Sequence, residues 1–188
     1  KKEVLMTTGG LHGNEPAGME GNIAFAKELT GTYGNAVLDF YGAVIIMPSV
    51  SVDDAQAYTR NDIVETDINP NRDLMNAVLP STRNQIAVYN NFMPTVYIDC
   101  HEDYGRLLLD EKTLSIETGG LDYYDVSVRH ANTANSSFYD IDSNLYFQNE
   151  NTIQDNIMMN TLDILKSKGL RPSVYYSGND APGVSKEF

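Results

Sequence analysis

The stretch Gly9-Gly10-Leu11-His12-Gly13-Asn14-Glu15-Pro16-Ala17-Gly18 constrains this chain most, because it obliges a strand to end and a helix to begin within a few positions. Before it, Glu3-Val4-Leu5-Met6-Thr7-Thr8 is a short β-prone run, and Gly9 and Gly10 let the backbone turn sharply without Cβ strain. Pro16 suits a first helical turn, since its ring fixes φ near the helical value and the N–H it lacks would be unpaired there anyway. His12 and Glu15 then sit between two rigid elements. An imidazole and a carboxylate held in this way make half of a zinc site, and one more ligand is needed downstream.

Downstream the pattern alternates. Ala17, Ile23, Phe25, Ala26 and Leu29 recur at roughly helical spacing, with Gly31 as the expected C-cap. The run from Val37 to Met47 reads as a strand, ending in a nearly unbroken apolar stretch of the kind buried on both faces of a parallel sheet, and Pro48 stops it. About 25 polar residues follow, through Asn71-Arg72-Asp73, and a stretch of that length in a compact domain is more often a functional loop than a disordered one. Ser81 is the expected cap of a helix to about Phe92, with Ile86, Val88, Tyr89 and Phe92 as its apolar positions and Pro94 as its breaker. Thr95-Val96-Tyr97-Ile98-Asp99-Cys100, rich in β-branched and aromatic residues, is the most strand-like segment and delivers His101-Glu102 to its C-terminal end. Open α/β sheets place their ligands there. Short strands are expected at Thr113 to Glu117 and Tyr123 to Val128, and Ile153, Ile157, Met158, Leu162 and Leu165 predict a helix over 151–168 closed by Gly169. The expected fold is α/β, with a mixed, mostly parallel central sheet flanked by helices.

A chain of 188 residues has the length of one ordinary domain, so residues 1–188 are expected to form one. A net charge of −13 with 13 Lys and Arg argues against nucleic acid and anionic membrane surfaces as partners, because both need basic patches. The single cysteine, Cys100, excludes an intramolecular disulfide and leaves the compartment open. A start at Lys1-Lys2 and a stop just after a Gly-Asn-Asp-Ala-Pro-Gly loop give the expectation of a piece of a longer chain.

Taken together, His12-x-x-Glu15, Asp67-Ile68-Asn69-Pro70-Asn71-Arg72-Asp73 and the strand-ending His101 resemble the zinc carboxypeptidases of the carboxypeptidase A type. The resemblance spans positions 12 to 101. It implies that His12, Glu15 and His101 bind Zn2+ with one position left open, as a catalytic site requires. It implies that Asn71 and Arg72 hold a substrate carboxylate, for which the planar fork of arginine is suited. It further implies an arginine that polarises the scissile carbonyl, and Arg60 is the candidate between the strand and Arg72. Each residue alone has a plain structural reading: a core or capping histidine, a strand-end histidine, a surface ion pair. All of them in family order do not.

Two departures matter. His101 follows His12 by 89 residues (101 minus 12), short for the digestive carboxypeptidases and closer to the aspartoacylase and succinylglutamate desuccinylase branch, which cleaves N-acyl amino acids with the same zinc shell. The family also needs a strand-borne glutamate as general base. Glu117, in Ser115-Ile116-Glu117-Thr118-Gly119-Gly120, looks like it but comes only 16 residues (117 minus 101) after His101, too few for a parallel crossover. The base is therefore expected beyond Phe188, with Glu117 as the alternative. Tyr176 reads as a core or rim aromatic before it reads as a substrate contact. His130 reads as solvent-exposed, and Glu102 as either a turn carboxylate or a partner that orients a ligand.

The expected function is a metallocarboxypeptidase acting on a peptide with a free carboxylate. The competing readings are a deacylase of small acyl-amino acids and a zinc-retaining module without catalysis.

Overall fold

β1 (Glu3–Gly9) is the middle strand of a three-stranded parallel sheet of order β2-β1-β3, flanked by β2 (Tyr41–Met47) and β3 (Val96–Cys100). The computed structural model describes residues 2–102, 126–128 and 153–174. The chain divides into two compact units, Lys1–Asp103 and Tyr104–Lys186.

In the first unit the strands alternate with helices: α1 (Pro16–Leu29) and α2 (Gly34–Phe40) between β1 and β2, then α3 (Val52–Ala57), a 3₁₀ turn at Pro70–Arg72, and α4 (Pro80–Phe92) before β3. The expected α/β architecture with a parallel sheet and flanking helices is what forms. The chain leaves β1 for one neighbour and later returns to its other side. In open α/β sheets that reversal opens a crevice beyond the C-terminal strand ends, here those of β1 and β3.

The strand buried on both faces is β1 and not, as its apolar run suggests, β2. Leu5 and Thr7 on one face of β1 and Met6 and Thr8 on the other are all buried, whereas every residue of β2 keeps some exposure at the edge of this sheet. β2 also starts later than expected. Tyr41 is registered against Glu3, where β1 begins, so a strand over Val37 to Phe40 would have nothing to pair with there, and these residues satisfy their backbone groups as α2 instead.

Three further local expectations are corrected. α1 ends at Thr30 and not Gly31: Thr30 stays right-handed and its hydroxyl donates to the Lys27 carbonyl. Its inward stripe runs Gly18, Asn22, Phe25, Ala26, Leu29, leaving Ala17 and Ile23 exposed. Ser81 is not a cap, because Pro80 occupies the first turn of α4 and the Asp73 carboxylate accepts from the N–H groups of Val78 and Leu79, ordering the entry from a distance. α4 ends as expected before Pro94, with Met93 pushed out of the right-handed region to φ 47.

In the second unit, β4 (Val126–Val128) pairs in parallel with β5 (Pro172–Val174), a strand the sequence does not announce, and α5 (Ile153–Ser167) precedes β5. α5 buries Leu162 and closes at Gly169, whose φ is +79. The expected strand at Thr113 to Glu117 and residues Glu117, His130 and Tyr176 lie outside the described residues. No helix among the described residues is long and apolar enough to cross a membrane.

Candidate metal centre

Gly9 of β1 pairs with Cys100 of β3, so the two strands end side by side and the next residues of both enter the crevice. Gly10 makes the sharp turn expected of it, with φ +60. Gly13 then runs against the backbone of α3, where a Cβ would lie 2.0 Å from the Asp54 carbonyl; Asn14 N–H donates to the Thr59 carbonyl at 3.0 Å beside it. The chain closes a turn through Glu15 N–H to the His12 carbonyl, and α1 starts at Pro16. Gly18 is the contact that sets the depth of α1, since a Cβ there would lie 2.4 Å from the Cys100 carbonyl oxygen. The helix that carries Glu15 thus docks directly on the strand end that carries His101.

The result brings the three expected ligands together: donor atoms of His12, Glu15 and His101 lie within 4.8 Å of one another. His12 Nδ1 is 2.9 Å from Glu15 Oε1, and His101 Nδ1 is 2.7 Å from Glu15 Oε2. Both rings present the same nitrogen. Their other nitrogens are taken: His12 Nε2 lies 2.9 Å from Asn69 Oδ1, and His101 Nε2 lies 2.9 Å from Asp99 Oδ2. Asn69 Oδ1 also accepts from Asn71 N–H and Asp99 Oδ1 from the Thr8 hydroxyl, so both side chains act as acceptors and hold the proton of each ring on Nε2. That tautomer leaves Nδ1 for a metal, and outer partners of this kind are what orient metal-binding histidines. Two imidazoles and a carboxylate so arranged fit a divalent cation.

Glu15 is buried, and its two oxygens face four nitrogens. Oε1 faces His12 and accepts from Arg60 Nη1 at 2.7 Å; Oε2 faces His101 and accepts from Glu102 N–H at 3.2 Å. Burial pushes its pKa up, but the hydrogen bonds from His101 and His12 outweigh that and hold it well below the usual carboxylate range. For His101, burial disfavours the charged ring, yet the hydrogen bonds to Asp99 and Glu15 prevail and raise its pKa to about 10. A metal here competes with a proton.

Arg60 comes from the loop after α3, ordered by the buried Asp54, whose Oδ1 accepts from Ile63 N–H and whose pKa burial pushes upward. Its side chain is 48 % exposed and pairs with Glu15. The Glu102 carboxylate accepts from Ala17 N–H and so caps the first turn of α1, while its backbone N–H donates to Glu15 Oε2. Asn71 is buried, whereas Arg72 is exposed, donates to the Asn71 carbonyl at 2.9 Å, and has no carboxylate partner among the described residues. Asn69, Asp99 and Thr8 are the site residues that sequence reasoning missed. The signal was present only for Asn69 and Asp99, each a hydrogen-bonding side chain two or three residues from a functional one. Comparison with known protein families, with curated proteins and with solved structures finds no match.

Proposed function

We infer that this chain is a zinc-dependent hydrolase of the metallocarboxypeptidase type, removing the C-terminal residue of a peptide. Asn69 carries the reading. Its side chain holds His12 Nε2 while it caps the 3₁₀ turn bearing Asn71 and Arg72, so a candidate metal ligand and an exposed guanidinium are tied to one short segment. An exposed arginine fork on that segment suits a substrate's terminal carboxylate, which it would grip through two parallel hydrogen bonds.

His12, Glu15 and His101 would hold the zinc, three protein ligands being the number that leaves a catalytic ion an open position. Zinc supplies Lewis acidity toward a carbonyl and makes water acidic enough to attack near neutral pH. Arg60, released from Glu15, is long and exposed enough to donate to the oxygen on which negative charge develops. The reaction also needs a general base to take the proton of the attacking water.

The 89-residue interval (101 minus 12) favours a second reading, a deacylase of N-acyl amino acids, which uses the same metal and the same grip on a carboxylate. Release of free C-terminal amino acids from peptides, compared with release of acetate or succinate from acylated amino acids, separates the two. Zinc-dependent activity confined to the latter would overturn the peptidase reading, and zinc binding without turnover of either substrate by the full-length protein would leave a binding module.

A further inference from the structure

Behind His101 the hydrogen bonds do not stop at Asp99. The Thr8 hydroxyl donates to Asp99 Oδ1 at 2.7 Å, stands 2.9 Å from the Tyr97 hydroxyl, and Tyr97 in turn accepts from Gln85 Nε2 at 2.7 Å. Proton accounting fixes the direction. Thr8 has one hydroxyl proton and gives it to Asp99, so Tyr97 must donate to Thr8, and the Gln85 amide must donate to Tyr97. From Gln85 on α4, through Tyr97 on β3 and Thr8 on β1, every donor points toward His101.

This row lies inside the fold. Thr8 and Gln85 are fully buried, and burial raises the Tyr97 pKa above its ordinary value, keeping its proton in place. Gln85 Oε1 is buried with no partner among the described residues. An apolar residue at position 85 would fit a packed core better than an amide with one end unsatisfied. The arrangement makes sense if the amide's N–H serves the row.

We propose that Gln85, Tyr97 and Thr8 are positioning residues that, through Asp99, fix His101 with its proton on Nε2 and its Nδ1 aimed at the metal. The inference rests on the reading of His12, Glu15 and His101 as metal ligands. With Thr8 committed to Oδ1, Asp99 keeps Oδ2 for the ring. Without Tyr97 as a donor, the Thr8 hydroxyl is no longer oriented, and the Asp99 carboxylate is free to rotate away from His101.

The test is zinc affinity of the full chain, measured by competition with a chelator, together with ring 15N NMR of the zinc-loaded protein. Asp99→Asn is expected to lose about 10- to 100-fold, as removal of a direct outer partner does. Tyr97→Phe is expected to lose roughly two- to tenfold, the worth of one hydrogen bond. Thr8→Val should fall between them, Thr8→Ser should recover most of the loss, and Thr8→Val with Tyr97→Phe should bind no more weakly than Thr8→Val alone. The NMR spectrum should show His101 ligated through Nδ1 with its proton on Nε2 in the parent, and a mixture of Nδ1- and Nε2-ligated rings in Thr8→Val, which a merely structural role would not produce.

Parent-like affinity and tautomer in both Thr8→Val and Tyr97→Phe would overturn the inference while leaving the metal reading intact. A parent protein that binds no zinc, or a His101→Ala variant that binds it fully, would remove the metal reading and the inference with it. If Thr8→Val does not fold, Tyr97→Phe, which removes one oxygen and no packing, decides alone.

Discussion

Arg60 Nη1 lies 2.7 Å from Glu15 Oε1, the same oxygen that faces His12 Nδ1. A metal ion bound through that oxygen would contend with the guanidinium for it. Because the arginine is 48 % exposed, its ion pair is worth little, so Arg60→Ala should change zinc affinity by less than about fivefold. Its loss should instead appear in turnover, by on the order of 10²- to 10³-fold, if the released arginine serves the developing oxyanion. Steady-state kinetics beside a zinc titration checks both. Unchanged kcat would remove Arg60 from the chemistry.

Purified protein is expected to hold one zinc per chain, and His12→Ala and His101→Ala to lose it. The three candidate ligands converge from two strand ends, and none of the other described His, Cys, Asp or Glu residues forms a comparable cluster to replace one of them. Metal analysis after dialysis measures occupancy, and a fully loaded variant would exclude its residue from the shell.

In the metal-free protein, stability and metal affinity should run in opposite directions with pH. The His101 pKa rises from 6.5 to about 10 on folding, so its contribution to stability is complete below about 6.5 and is lost as pH climbs toward 10. Glu15 is depressed from 4.5, so its contribution is present above that pH and disappears as pH falls through the lower folded value. Thermal unfolding in chelator should accordingly place the best pH for this cluster between 4.5 and 6.5. Zinc must displace the proton on His101, so its affinity should rise about tenfold per pH unit across the neutral range. Flat affinity over that range would show that His101 gives up no proton.

What the sequence makes legible here is local chemistry: a glycine-rich junction, a proline at a helix start, a histidine after a β-branched run. His12, Glu15 and His101 could be found because each stands next to backbone that only one conformation suits. The outer residues could not. Thr8 and Gln85 are polar side chains whose neighbours in sequence say nothing of burial, and their partners lie 91 and 12 residues away. α2 was hidden for the same reason, since Val37 to Phe40 is β-prone and only the register of Tyr41 on Glu3 denies it a partner.

Arg72→Lys is a mild change in charge and a large one in geometry, because the lysine keeps a cation but loses the fork. If Arg72 grips a terminal carboxylate, affinity for a carboxylate product or inhibitor should drop roughly ten- to a hundredfold, equivalent to one charge-assisted hydrogen bond, with zinc content unchanged. Calorimetry with such a ligand on zinc-loaded protein measures it. Parent-like binding would refute the role.

Gly18 tests whether the docking of α1 makes the site. A methyl group there would lie 2.4 Å from the Cys100 carbonyl oxygen, and backbone cannot swing aside as a flexible side chain would, so Gly18→Ala must shift the helix, the strand end or both. Overpacking of this kind costs about 1 to 3 kcal/mol, although alanine also favours the helix interior by nearly 1 kcal/mol over glycine. The net loss in stability should therefore be modest. Glu15 and His101 stand on the two elements that part, and metal sites are sensitive to displacements of about half an ångström. Zinc affinity should thus fall by more than the stability change accounts for. Gly21→Ala is the control, because a Cβ at that position of the same helix meets nothing within 4 Å. Chemical denaturation and zinc competition on both variants decide: equal affinity in the two would mean that the depth of α1 does not govern the metal centre.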